Sequence, residues 1–179
     1  MFGGMFRPPE NKKMFWSQFM LQCKDIGVGS LGIIVIISIF IGAVSTLQTA
    51  YQLVSPIIPR ETIAQIVRDT VILEFAPTLS CIVLAGVVGS KIASELGNMR
   101  VSEQIDALEI MGINTKNYLI LPKILAGVLT IPLLIVISMI LGIWGGRLAG
   151  AAAGIIDPTI YDKGLILEFN AYNVYFALI

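Results

Sequence analysis

Three long apolar runs, roughly 31–54, 71–93 and 124–154, alternate with short stretches where charged and turn-forming residues collect. A helix needs about 20 residues to cross the hydrocarbon of a bilayer, so each run is predicted to be a membrane span. The first carries no charge, and its polar members are Ser38, Ser45, Thr46, Gln48 and Thr49. Gln48 would be costly against lipid, which predicts that it faces protein or a cavity. The second holds Glu74 near one end and Lys91 near the other, where the lysine stem lets its ammonium snorkel to the interface. Gly86 and Ser90 in that run form a small-residue pair suited to close helix contact. The third contains Pro132, which predicts a kink or the loss of one backbone hydrogen bond. It continues through Gly142, Gly146, Gly150 and Gly154 at four-residue spacing. Giving up that much helix propensity predicts that a second backbone packs on the glycine face. Arg147, in the same extension, needs an interfacial or protein partner.

Shorter elements surround these runs. Residues 11–25 read as an amphipathic helix, with Phe15, Trp16, Phe19, Met20 and Cys23 on one side and Lys13, Ser17, Gln22 and Lys24 toward the other. Such a helix suits the membrane interface, and Gly27, Gly29 and Gly32 then allow a sharp turn into the bilayer. Ser55-Pro56 and Pro59 end the first span, and 60–69 reads as a short helix carrying Ile63, Ile66 and Val67. The densest charge lies between the second and third spans. From 100 to 111, Val101, Ile105, Leu108 and Met111 share one helical face, while Arg100, Glu103, Asp106 and Glu109 lie elsewhere around it. Gly112 and Asn114-Thr115 stop that helix. It must lie outside the hydrocarbon, either as a solvated loop or as a surface on which a cytoplasmic partner pushes. Asp157-Pro158 makes a turn, and a fourth apolar segment, 164–179, follows. A span stopping at Ile179 would leave carbonyls unsatisfied in lipid, so more spans are predicted to follow.

Composition narrows the class. The sequence is 56% hydrophobic and only 13% charged, and its mean hydropathy of +0.85 excludes an ordinary soluble domain. The fold predicted is an all-α polytopic membrane protein forming one domain. Net charge is zero, but Arg7, Lys12, Lys13 and Lys24 precede the first span and Arg100, Lys116 and Lys123 surround the central charged helix. The opposite loops offer only Arg60, Arg68 and Lys163, which places the N-terminus and the central helix in the cytoplasm. Cys23 and Cys81 read as small apolar residues without a disulfide. With no histidine and no Cys/His cluster, neither a metal site nor a nucleophile with its base is predicted. Gly86-Val87-Val88-Gly89-Ser90-Lys91 only superficially resembles a phosphate loop, since its glycine spacing is wrong and no strand precedes it. No cofactor or catalytic residue is expected, so energy must come from another subunit or an ion gradient. Glu74 is left open as a proton relay, a cavity residue or a carboxylate at the interface.

Several blocks together resemble one family. Glu74-x-x-Pro77, Ala85-Gly86-x-x-Gly89-Ser90 and the run from Glu95-Leu96-Gly97 to Glu109-x-Met111-Gly112 are similar to the MlaE/YrbE permeases. So are Phe40-Ile41-Gly42, Leu47-Gln48, Leu121-Pro122, Leu125-Ala126, Pro132-Leu133-Leu134 and Gly142-Ile143-Trp144-Gly145-Gly146. The chain departs from the family pattern at Leu73 and Phe75-Ala76, on either side of Glu74, and at Val87. The resemblance implies the membrane subunit of a bacterial ABC transporter that moves phospholipid between inner and outer membranes. It implies a homodimer in the inner membrane, an ABC ATPase subunit on the cytoplasmic side, an MCE-domain lipid-binding protein on the other, and no nucleic-acid partner. On it, 100–111 resembles the coupling helix, with Arg100, Glu103, Asp106 and Glu109 facing the ATPase. Residues 11–25 resemble the interfacial elbow helix, and Leu47, Gln48 and Glu74 match positions near the lipid cavity. Two other classes fit the residues alone: an ion-coupled carrier of a lipophilic substrate, with Glu74 and Lys91 as coupling charges, and a non-transporting membrane scaffold held by the glycine stripe.

Overall fold

A computed structural model describes residues 12–53, 59–112 and 115–178. The expectations for the tail before Lys12, for Ser55-Pro56, for Asn114 and for Ile179 lie outside the described residues. The elements are helices: α1 (Lys12–Gln52), α2 (Glu61–Thr70), α3 (Ala76–Val101), α4 (Gln104–Ile110), α5 (Leu121–Ala152), α6 (Pro158–Ile166) and α7 (Ala171–Leu178). Two π-helical turns, Val71–Phe75 and Lys116–Ile120, lead into α3 and α5. Three helical runs are long and apolar enough to cross a membrane, Lys13–Gln52, Glu61–Val101 and Tyr118–Ala152, and the protein is an all-α polytopic membrane protein. The chain forms two compact units, Met1–Leu31 with Val83–Pro132 and Gly32–Ile82 with Leu133–Ile179.

Several boundaries differ from those predicted. No turn occurs at Gly27, Gly29 or Gly32, because glycine permits a bend without requiring one and α1 keeps its helix through all three. The short helix expected at 60–69 runs through a π turn into α3 rather than standing apart from the second span. Each π turn lies just upstream of a proline, Pro77 and Pro122. Pro77 has no N–H for the Leu73 carbonyl and its ring would crowd that oxygen, so the turn opens and Ala76 N–H reaches back five residues to Val71 O. Gly164 does not start a fourth span. It lies within α6, the chain turns through Leu167–Asn170 with Glu168 at φ 52°, and α7 begins at Ala171.

Small and hydroxyl residues share the buried positions with apolar ones, and many large apolar side chains face outward. Along α1 the buried line at four-residue spacing is Gln22, Ile26, Ser30, Ile34, Ser38, Gly42, Thr46 and Ala50. The large aliphatic and aromatic residues Ile36, Phe40, Val44 and Tyr51 are exposed. In α5, Ala126, Thr130, Ser138, Gly142, Gly146 and Gly150 are buried, while Val128, Leu129, Leu133 and Ile140 are exposed. Small and hydroxyl side chains can pack inside because their oxygens find partners within the helices. Ser38 donates to Ile34 O at 2.6 Å and to Ser138 Oγ at 2.8 Å, Thr46 to Gly42 O at 2.9 Å and Thr130 to Ala126 O at 2.7 Å.

In the second unit α1 and α5 meet backbone to backbone. A Cβ on Gly42 would overlap the Gly142 carbonyl, one on Gly145 would sit 2.5 Å from Ile39 O, and one on Gly146 would strike Thr46 and the Tyr161 hydroxyl. A Cβ on Gly150 would make only ordinary contact with Thr46 at 3.4 Å. Gly154 is not part of this face. The helix ends at Ala152 and Gly154 follows at φ +66° with open space around it, so the close-packed glycines are Gly42, Gly142, Gly145 and Gly146. The pair expected at Gly86 and Ser90 meets nothing near Gly86 within this chain, and Ser90 is exposed.

The same unit holds an apolar cluster of Ala50, Ile63, Ala64, Val67, Val71, Ile156 and Tyr161. Here α6 lies directly on α2, because a Cβ on Gly164 would press on Glu61 O and come within 2.8 Å of Ala64 Cβ. Arg68, only 3% exposed, donates to Leu165 O and Leu167 O at 2.8 Å each. It also pairs with Asp69 at 2.9 Å and lies over the Phe169 ring. A cation thus satisfies carbonyls that the end of α6 would otherwise leave unpaired. Arg147 finds the partner that its position demands, Asp162, in two bonds of 2.8 and 3.0 Å.

Two predictions test this packing. Gly42→Ala should destabilise the purified protein by about 1–3 kcal/mol, as overpacking does, whereas Gly86→Ala should leave it unchanged or gain up to about 1 kcal/mol of helix propensity. Thermal melts in detergent compare them, and equal melting temperatures would refute the backbone contact. The second concerns pH. The Arg147 hydrogen bond and charge hold the Asp162 carboxyl below the usual carboxylate range. A depressed folded value stabilises above the unfolded value of about 3.9 and is lost as pH falls through the folded one. The stability difference between the parent and Asp162→Asn should therefore be full near neutrality and vanish in acid, read by melts across that range.

Candidate functional site: the turn between α3 and α5

The segment from Val101 to Gly112 leaves the helix bundle as a projecting turn. Helix α3 ends at Val101, where Ser102 Oγ donates to Asn98 O at 2.7 Å and Glu103 N–H reaches Arg100 O at 3.2 Å. Glu103 then takes φ 56°, a left-handed conformation unusual for a residue with a side chain. After it, α4 runs seven residues and ends at Met111, and Gly112 at φ +76° turns the chain away. The single helix expected over 100–111 is therefore two helices with a break at Ser102–Glu103. Ser102 bonding back to Asn98 closes the first, and the left-handed residue re-aims the second.

The break changes which side chains are presented. No residue of α4 is buried. Val101, Ile110 and Met111 are 85%, 87% and 66% exposed, and Ile105 and Leu108 are half-buried. The predicted apolar face is thus split, with its outer members open to solvent. Arg100 pairs with Asp106 across the break, an exposed pair that contributes about 0–1 kcal/mol. Glu109 Oε1 accepts from Thr115 Oγ1 at 3.3 Å, while Glu103 points to no partner among the described side-chain bonds and is exposed.

The other predicted residues lie elsewhere. Leu47 is half-buried on α1, Gln48 is exposed beside it, and Glu74 is exposed on the π turn before α3. A small cavity of about 10 Å³ in that unit is lined by Ser38, Ile41, Val71, Phe75, Ala76, Ser138 and Gly142, with none of the three among them. The stretch Gly86–Lys91 is continuous helix, so its amides are spent on the helix ladder and cannot cradle phosphate. Sequence reasoning gave Gly42 and Gly145 no packing role; Gly42 is flagged by Ser38 and Thr46 one turn to either side, whereas no such signal marks Gly145. It also missed that Lys91 and Glu95 of α3 reach Asp25 and Lys123 on two other helices.

Three long apolar helices, two of them joined by a charged turn that exposes apolar side chains, define a polytopic helical membrane protein. Residues 19–179 match the family described as Permease MlaE, and the chain belongs to that family. It is 36% identical over 146 residues to a probable ABC transporter permease protein of Rickettsia bellii, covering 82% of this chain and 54% of that one. It is 33% identical over 150 residues to the intermembrane phospholipid transport system permease protein MlaE of Haemophilus influenzae, covering 84% and 57%. It is 32% identical over 152 residues to the chloroplastic protein TRIGALACTOSYLDIACYLGLYCEROL 1 of Arabidopsis thaliana, covering 84% and 43%. The chain thus spans little more than half the length of the first relatives it matches, such as 54% and 59%.

The left-handed Glu103 yields a local prediction. Glu103→Gly removes the Cβ penalty and should keep or raise stability by up to about 1 kcal/mol. Glu103→Val, β-branched at the same φ, should cost about 1–3 kcal/mol. Urea or thermal melts that rank the two the other way would show that the turn is not held left-handed.

Proposed function

We propose that the protein is the membrane subunit of an ABC transporter that moves phospholipid between two membranes, driven by a separate ATPase. Membership of the MlaE family and the phospholipid transport for which the Haemophilus relative is named support this reading. The observation that carries the ATPase part is the projecting turn, where α4 buries nothing while Val101, Ile110 and Met111 stand exposed beside Glu103 and Glu109. Exposed apolar side chains outside a membrane span are costly unless covered, and an apolar centre rimmed by charge is how protein interfaces are built. In this reading the 102–112 turn inserts into the ATPase in the cytoplasm, with Arg100, Glu103, Asp106 and Glu109 as its charged rim. The excess of Lys and Arg near that turn and before α1 supports a cytoplasmic N-terminus in a bacterial inner membrane. Residues 11–25 serve as the interfacial elbow, within the first part of α1. A second copy completes a homodimer, an MCE-domain protein collects or delivers lipid at the α2–α6 end, and Leu47, Gln48 and Glu74 face the lipid path.

Co-purification tests it. The full-length permease, co-expressed with its partner ATPase and purified in mild detergent, should retain that ATPase. Ile110→Asp with Met111→Asp should reduce the recovered ATPase at least about 30-fold, as loss of an interface centre does, without lowering the melting temperature. Glu103→Lys with Glu109→Lys should weaken association and increase its salt dependence. Full retention of the ATPase by the Asp variant would make the turn a solvated loop. Lipid transport driven by a proton gradient without ATP would assign the chain to the ion-coupled carriers.

A further inference from the structure

Within the first unit, α3 carries two ion pairs one helical turn apart, and each leads to a different helix. Lys91 Nζ lies 3.6 Å from Asp25 Oδ1 and donates to the Asp25 carbonyl at 3.3 Å, reaching α1. Glu95 Oε2 lies 2.5 Å from Lys123 Nζ, reaching α5. Gly29 lies beside the first pair, where a Cβ would make only ordinary contact with the Lys91 ammonium at 3.6 Å. The Lys123 side chain is 5% exposed. Its contact with Glu95 lies outside hydrogen-bond angles and no other group among the described residues accepts from it. A buried ammonium held by a single carboxylate contributes little net stability. The best-attested use of such a pair is to fix register or to switch it.

Its surroundings favour that use. Between α1 and α3 a cavity of about 40 Å³ opens beside Gln22, Asp25, Ser30, Lys91 and Glu95, large enough for two or three waters. The two helices are therefore incompletely packed beside these charges, and the Asp25–Lys91 pair bridges them there. About two turns of α3 separate Glu95 from the break at Ser102–Glu103. With α4 burying nothing, a displacement of the turn passes into α3, and these are the first charged attachments it meets.

We propose that Asp25–Lys91 and Glu95–Lys123 are positioning pairs that pass movement of the 102–112 turn to α1 and α5. The proposal rests on the reading that this turn docks an ATPase. The test uses the full-length permease with its ATPase in phospholipid vesicles, measuring three quantities: ATPase recovered per permease, ATP hydrolysis, and lipid moved per ATP. Lys91→Met and Lys123→Met should each keep the ATPase bound and hydrolysing while lipid moved per ATP falls at least about fivefold. The exchanges Asp25→Lys with Lys91→Asp, and Glu95→Lys with Lys123→Glu, should restore that ratio to within about twofold, which a merely structural role does not require. Should Lys123→Met fail to fold, the half-exposed Asp25–Lys91 pair decides the matter alone. An unchanged ratio in folded Lys91→Met with its ATPase bound overturns the proposal, as does a lowered ratio that neither exchange restores. Absence of any ATPase on the unsubstituted permease defeats the docking reading itself, an outcome distinct from bound but unaffected ATPase.

Discussion

The contact between the α1 and α5 backbones at Gly42, Gly142, Gly145 and Gly146 is the constraint on which the second unit depends. Lipid tails are as apolar as leucine, so no hydrophobic gain draws two spans together. What remains is dispersion and polar contact at short range, and both need the backbones close. Glycine at 42 and 145 removes the atoms that would hold them apart, and the approach brings Ser38 to Ser138. It also seats Thr46 and Tyr161 against Gly146. Tyr161 then anchors α6 beside α2, and Arg68 secures the end of α6. A single methyl at position 42 would be felt in all of these.

The exposed turn is the opposite case. Its geometry depends on one left-handed residue and a serine bonded to its own helix, with no packed core beneath it. Rigid attachment and free presentation need different chemistry, and the chain separates them by sequence as well as by space. Glycine, serine and threonine make the close contacts within the bundle, while acidic and apolar residues alternate on the turn.

Much of this was legible beforehand. The three spans follow from uninterrupted apolar length, and the family follows from the Glu95–Gly112 block. The need of Arg147 for a partner followed from its place in an apolar helix. What failed did so for identifiable reasons. The glycines at 27, 29 and 32 suggested a turn because conformational freedom was read as conformational demand. Gly154 shares the four-residue spacing of its predecessors, but spacing cannot show that the helix ends first. The α4 break could not be read from hydrophobic period, since Val101, Ile105, Leu108 and Met111 fit one face and only a backbone angle at Glu103 separates them. Gln22 was assigned to the polar side of an amphipathic helix, yet it is buried on the line that continues through Ile26 and Ser30.

The two π turns carry a consequence for phase. Opening a turn to five residues inserts one residue beyond what a regular helix uses, and each residue rotates the side-chain direction by about 100°. The run from Glu61 to Val101 therefore changes side-chain phase at the π turn while remaining helical. The half before Val71 turns its apolar stripe toward α6, and the half after Phe75 continues with its side-chain directions offset from that stripe, without a loop between them. Pro77 fixes where that offset falls, and Pro122 does the same at the start of α5. A proline in a span is usually discussed as a hinge; at these two places it acts as an angular register mark, shifting which side chains face a given direction without breaking the helix.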